Sequence, residues 1–146
     1  MHISVTRLRV RSFVYLPLFL WHAFRSTRQA ERARGFVSGK LLVNEGSVYW
    51  TLTAWDSEAA MNEFRTTAAH RAAMPGLLNI CDEASVAHWN QETAELPSWQ
   101  EAHRRMADEG RLTKVNHPSA NQLENRFPAP EASRVETTLK SRRLKL

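Results

Sequence analysis

The 146 residues, 42% of them hydrophobic and five of them Trp, suffice for one domain with a real core and do not have the composition of a disordered polymer. The single cysteine, Cys81, excludes an intrachain disulfide framework and every multi-cysteine metal site, and points to a reducing, cytoplasmic setting. The net charge of +5 is unevenly spread: residues 1–40 carry eight basic groups and one acid, residues 41–110 four and eleven, and residues 111–146 eight and three, a split that fits self-association or an anionic ligand at least as well as nucleic acid.

Residues 2–11 alternate as a strand, with His2, Ser4, Thr6, Leu8 and Val10 on one side and Ile3, Val5, Arg7, Arg9 and Arg11 on the other. The apolar run 13–24 contains Pro17 and His22 and is too short to span a bilayer. It leaves membrane-surface contact as a minor reading. A helix is predicted over residues 18–33, with Leu20, Ala23, Phe24, Thr27 and Ala30 inward and Arg25, Arg28 and Arg32 outward, and Gly35 ending it. Residues 36–43 and 48–55 form a hairpin around Asn44-Glu45-Gly46-Ser47. The second of these strands, VYWTLTAW, is bulky on both sides, so something packs on each face.

Asp56-Ser57 caps a helix over residues 58–64, and a second piece covers 68–74 before Pro75-Gly76 breaks it. Residues 77–81 give a further helical turn, Asp82-Glu83 a solvated turn, and residues 84–91 the fourth strand. The order β-α-β-β-α-β is the ferredoxin-like arrangement: an α+β fold with a four-stranded antiparallel sheet and both helices on one face. The other face has nothing in this chain to cover it, so, if its side chains are apolar, a second sheet from an identical subunit is expected there. Ser98, with Glu101 three residues on, caps an appended helix within residues 96–110. Residues 111–146 read as a basic tail, extended or disordered, whose removal leaves the fold intact.

No Walker, Rossmann, HExxH, EF-hand, GxSxG or CxxC pattern occurs. Of six histidines, His22, His70 and His88 sit in apolar contexts suited to a planar aromatic ligand or a heme, while His2, His103 and His117 read as surface residues. The third strand lacks the Lys and Arg that a base-stacking sheet needs, which argues against nucleic acid.

Trp50, Trp55, Asp56, Ala60, Met61, Phe64 and His70-Arg71, with Phe36 and Gly39 ahead of the hairpin, make up a motif. Through it the chain resembles the antibiotic-biosynthesis-monooxygenase-like proteins of the dimeric α+β barrel superfamily, most closely a bacterial branch similar to spheroidene monooxygenase. The resemblance implies a homodimer with facing sheets and a pocket between helices and sheet in each subunit. It also implies a monooxygenase-like oxidation of a hydrophobic aromatic or polyene small molecule, either cofactor-independent or heme-dependent. Carried onto this chain, His70 is the catalytic base and Trp55 holds the substrate ring. In a heme form His70 or His22 is the axial ligand and Arg7 or Arg9 meets a propionate. Trp21, Trp50, Phe64 and His88 line the substrate pocket. The family's Asn, Trp and His pocket triad is not reproduced in order, since neither Asn44 nor Asn62 aligns to it. The alternative is a non-catalytic heme- or small-molecule-binding dimeric module.

Overall fold

A computed structural model describes residues 1–131 and 135–143. Its spine is β1 (His2–Val10), where β-branched and polar residues alternate; β1 pairs antiparallel with β3 (Val48–Trp55) on one side and β4 (Cys81–Asn90) on the other. β2 (Phe36–Asn44) pairs with β3 through the expected hairpin, whose Gly46 and Ser47 both take positive φ. This gives the ferredoxin-like order β4-β1-β3-β2. The expectation of four strands is corrected to six, in the order β5-β4-β1-β3-β2-β6. Both extra strands come from residues read as tail: β5 (Arg111–Leu112) extends β4, and β6 (Val135–Lys140) extends β2.

Three helices stand on one sheet face. α1 (Leu16–Arg32) follows a 3-10 turn (Phe13–Tyr15). α2 (Glu58–Arg65) starts at Ser57, whose hydroxyl accepts from the Ala60 amide at 3.1 Å. α3 (Ala68–Ile80) is one helix running through Pro75-Gly76, not two pieces. α1 passes over α3 at Gly76, where a Cβ would make only ordinary contact, 3.7 Å from His22 Nε2. Gly35, at φ 83°, turns α1 into β2, and its carbonyl accepts from the Asp56 amide at 2.8 Å.

The inward face of α1 differs from the predicted one. Phe19, Ala23 and Ala30 pack toward the sheet, and Phe19 lies 4.5 Å from the Tyr49 ring. Leu20 and Phe24, expected inside, are 50% and 57% exposed. The first half of α1 is apolar on every side, so periodicity alone selects no face.

The second sheet face is not bare, contrary to expectation. α4 (Trp99–Glu109), capped by Ser98 as predicted, lies across it. Trp99, Ala102 and Met106 are buried against Ile3, Val5, Leu42, Trp50, Leu52, Ala87 and Trp89. The chain itself therefore occupies the surface on which a facing subunit was expected, and the premise for a sheet-to-sheet homodimer falls away.

The expected extended or disordered tail is corrected too, except that residues 132–134 and 144–146 of it lie outside the described residues. α5 (Ala120–Glu124) brings Gln122 against β4, where its side-chain amide donates to Ala84 O and Thr113 O and accepts from the Ala84 amide. Along β6 only Leu139 is buried, against Phe36, Trp55 and Met61. Beyond β6, Arg142 Nε donates to the buried Glu31 carboxylate at 2.7 Å. Its otherwise polar sequence, VETTLK, is why the strand escapes a pattern search. A chain ending at residue 134 is expected to lose about 2–4 kcal/mol, from the exposure of the Leu139 contact surface and an unpaired Glu31. An unchanged urea midpoint would show that β6 adds nothing.

Candidate active-site cleft

Strands inside a sheet covered by helices ordinarily bury their helix-facing side chains. Here Ser4 and Thr6 of β1, Thr51 of β3, and Val86 and His88 of β4 all face the helices, yet all remain partly exposed. Small and polar side chains at these positions leave this stretch of the sheet, between the packed clusters around Phe19 and around Trp55, incompletely covered, so solvent reaches it. This is the cleft that the fold offers for a ligand.

Two imidazoles stand near one end of it. His2 and His88 stack with ring centroids 5.8 Å apart, and His2 Nδ1 lies 2.8 Å from Asn90 Oδ1. Among the described residues neither His2 Nε2 nor His88 Nδ1 finds a hydrogen-bond partner, although both atoms are buried. Burial pushes the His88 pKa down to about 4, and interactions with Arg65, His2 and Arg111 add to the effect against an opposing pull from Glu58. His88 is therefore neutral at physiological pH. Arg65 and Glu58 bring the two ends of α2 within electrostatic reach of it.

His70 lies at the start of α3, in an aromatic series. Its ring centroid is 4.7 Å from Phe64, Phe64 is stacked 5.1 Å from Trp55, and Trp55 meets Phe36 edge-on at 5.3 Å. Gln29 of α1 fixes the junction: it accepts from the His70 amide at 2.8 Å and donates to Phe64 O and Thr67 O. His70 Nδ1 is 3.2 Å from the Arg65 carbonyl. A carbonyl only accepts, so Nδ1 carries the proton and Nε2 keeps its lone pair. Burial lowers the His70 pKa, so this imidazole is also neutral.

The other predicted site residues divide among several places. Trp55 is fully buried and its indole N–H is committed to Thr53 Oγ1 at 3.0 Å, so it supports Phe64 from the core rather than touching a ligand. His22 is half-buried between α1 and α3. Trp21 is on the outside of α1, 55% exposed, away from the expected pocket. Trp50, also expected in the pocket, lies on the opposite sheet face, 6.5 Å from Trp99.

Arg7 and Arg9 are on that opposite face as well, Arg7 buried and Arg9 with 39% of its side chain exposed. Arg7 Nη1 donates to Glu83 Oε2 at 2.5 Å, Arg9 Nη1 to Glu83 Oε1 at 3.2 Å, and Arg7 also lies beneath the Phe127 ring at 4.6 Å. Asp82-Glu83, read as a solvated turn, is the start of β4, and Glu83 is fully buried. The predicted heme set does not fit: its arginines are tied to Glu83, with the sheet between them and His70 or His22. No group of three or more His, Cys, Asp or Glu side chains is arranged to hold a metal among the described residues. The Cys81 thiol is pushed up to about 12 by burial and by neighbouring Asp82, which keeps it unreactive.

Sequence reasoning passed over His2, Ser4, Thr6 and Thr51. The signal was the run of small polar residues on one side of two interior strands, opposite Ile3, Val5 and Leu52.

No family model matches the chain, and no curated protein matches it. Solved structures do. An antibiotic biosynthesis monooxygenase is 10% identical, with a TM-score of 0.57, all of it matched by 64% of this chain. The chain has the antibiotic biosynthesis monooxygenase fold. A putative antibiotic biosynthesis monooxygenase from Deinococcus radiodurans is 13% identical (TM-score 0.57; 99% of it, 67% of this chain). SnoaB, a cofactor-independent oxygenase from Streptomyces nogalater, is 17% identical (TM-score 0.53; 97% of it, 66% of this chain). The matched share of this chain is roughly the length of β1 through β4.

Proposed function

We propose that this chain is a monooxygenase-like protein that oxidises a hydrophobic aromatic or polyene small molecule in the cleft between α1–α3 and the sheet. The observation that carries this reading is a partly open cleft over interior strands, with two neutral imidazoles on its side of the sheet. A neutral imidazole is a proton acceptor, and an electron-rich substrate deprotonated at a CH₂ carbon becomes a carbanion able to reduce O₂ itself. One oxygen atom then stays as the new carbonyl and the other leaves as water, so atoms and electrons balance without a cofactor. SnoaB, which shares the fold, is a cofactor-independent oxygenase. In this scheme His70 Nε2 takes the proton, Phe64 packs against the substrate ring, and Ser4, Thr6 and Thr51 offer hydroxyls to the developing oxyanion. A cytoplasmic location belongs to the same reading. The narrower likeness to the spheroidene monooxygenase branch rests on the Tyr49 to His70 motif alone. A homodimer, if formed, uses a surface other than the second sheet face.

One observation favours the non-catalytic alternative. An imidazole with a pKa of about 4 is a weak base at neutral pH, so His88 suits ligand binding better than proton abstraction. Oxygen uptake with a panel of anthrone-like and polyene compounds, followed beside direct binding, separates the two. Turnover reduced about a hundredfold or more by His70→Ala, with binding retained, supports the enzyme. Saturable binding weakened by His88→Ala, with no oxygen consumed, establishes the binding module instead.

A further inference from the structure

The outer side of α1 is built unlike a solvated helix face. Pro17, Leu20, Trp21 and Phe24 follow the i, i+3, i+4, i+7 spacing of a single helical stripe, and this stripe points away from the sheet. Leu20, Trp21 and Phe24 are each at least half exposed, and Phe13 and Val14 in the preceding turn are 82% and 80% exposed. An exposed apolar surface of this kind on a folded domain marks a contact site.

Charge identifies the occupant. Farther along the same side come Arg25, Arg28 and Arg32, with Arg25 over the Trp21 ring at 5.8 Å and Arg28 over the Phe24 ring at 5.7 Å. Beside them an open concavity of about 440 Å³ is lined by Phe24, Arg25, Arg28, Gln29, Arg32 and Ala69, three guanidinium groups and no carboxylate. The one acid of α1, Glu31, is buried and bonded to Arg142, and α3 alongside carries none. A second copy docking through this stripe would bring no exposed carboxylate of α1 or α3 to meet the arginines. Apolar and aromatic side chains bordered by arginines, with no acid among them, suit a lipid interface bearing negative headgroups. No described helix is long and apolar enough to cross a membrane.

We propose that the outer face of α1, with the turn before it, docks the protein onto an anionic membrane surface. Phe13, Val14, Leu20, Trp21 and Phe24 enter the headgroup–acyl boundary, and Arg25, Arg28 and Arg32 hold lipid phosphates. This contact is independent of the oxygenase reading.

The full chain reports its own docking. Trp50, Trp55, Trp89 and Trp99 are each no more than 7% exposed, so a vesicle-induced change in emission comes from Trp21. The expected result is co-sedimentation with phosphatidylcholine vesicles that contain phosphatidylglycerol and not with phosphatidylcholine alone. Binding falls as salt rises, and Trp21 emission shifts to the blue with loss of iodide quenching. R25E/R28E is expected to lower partitioning more than about tenfold. L20S/F24S, at exposed positions and checked for an unchanged melting curve, is expected to abolish it. The proposal is overturned if the full chain stays in solution with anionic vesicles, or if L20S/F24S binds them as well as the parent does. A concentration-dependent dimer that L20S/F24S converts to monomer would overturn it too, by assigning the face to a second copy.

Discussion

Trp99→Ala is expected to destabilise the fold by about 3–5 kcal/mol, the usual cost of deleting a buried Trp side chain. Trp99 is 3% exposed and lies edge-on to Trp50. It donates its indole N–H to Glu136 at 3.0 Å and carries Lys40 over its ring at 4.8 Å. It thus joins α4, β2, β3 and β6. A larger change follows when residues 96–146 are removed. Ile3, Val5, Leu42, Trp50, Leu52, Ala87 and Trp89 would then share one uncovered apolar surface. The shortened chain is expected to self-associate through this face, which the full chain keeps covered. Urea unfolding of the variant and gel filtration of both chains at low micromolar concentration check this. A monodisperse, monomeric 1–95 fragment would remove the argument that α4 is what shields the sheet.

The second large effect is expected at Glu83. Its carboxylate is fully buried and accepts from Arg7, Arg9 and the Ser119 hydroxyl, which donates at 2.8 Å. Burial pushes its pKa up, but these hydrogen bonds together outweigh burial and hold it below the ordinary carboxylate value. Because the folded value is depressed, Glu83 stabilises the fold above its unfolded pKa of about 4.3. That contribution disappears as pH falls through the folded value. Glu83→Gln leaves Arg7 buried beside a neutral partner and is expected to cost about 3–5 kcal/mol at pH 7, with a shallower stability slope below pH ~4. Acid titrations of both proteins followed by circular dichroism test the sign. A steeper acid slope in the variant contradicts it.

The parts of the fold that could be read in advance are those with local signals. Ser57 and Ser98 mark helix starts by side-chain chemistry within three residues, and Gly46 marks its turn by conformation. Alternation in β1 and β3 separates the two sheet faces correctly. What escaped depends on partners far along the chain. Arg7 and Glu83 are 76 positions apart, so each looks solvated until the sheet forms. Leu139 is the one buried residue in a largely polar strand and gains meaning only beside Trp55. Of the candidate site, what could be read in advance is on which side of the sheet some of its residues lie. His70, Phe64 and His88 fall on the cleft's side of the sheet, and Trp55 lies beneath Phe64 in the core. Trp50, Arg7 and Arg9 are separated from them by the sheet, because aromatic and basic residues attract a functional reading whichever way they point.

The covering of the second sheet face by α4 has a consequence for how the domain responds to dilution. A face sealed by another molecule opens when protein is scarce, since its occupancy follows mass action. A segment joined through the eight residues between β4 and α4 is present at an effective concentration in the millimolar range. The second half of the hydrophobic core is therefore closed in every molecule, however few there are.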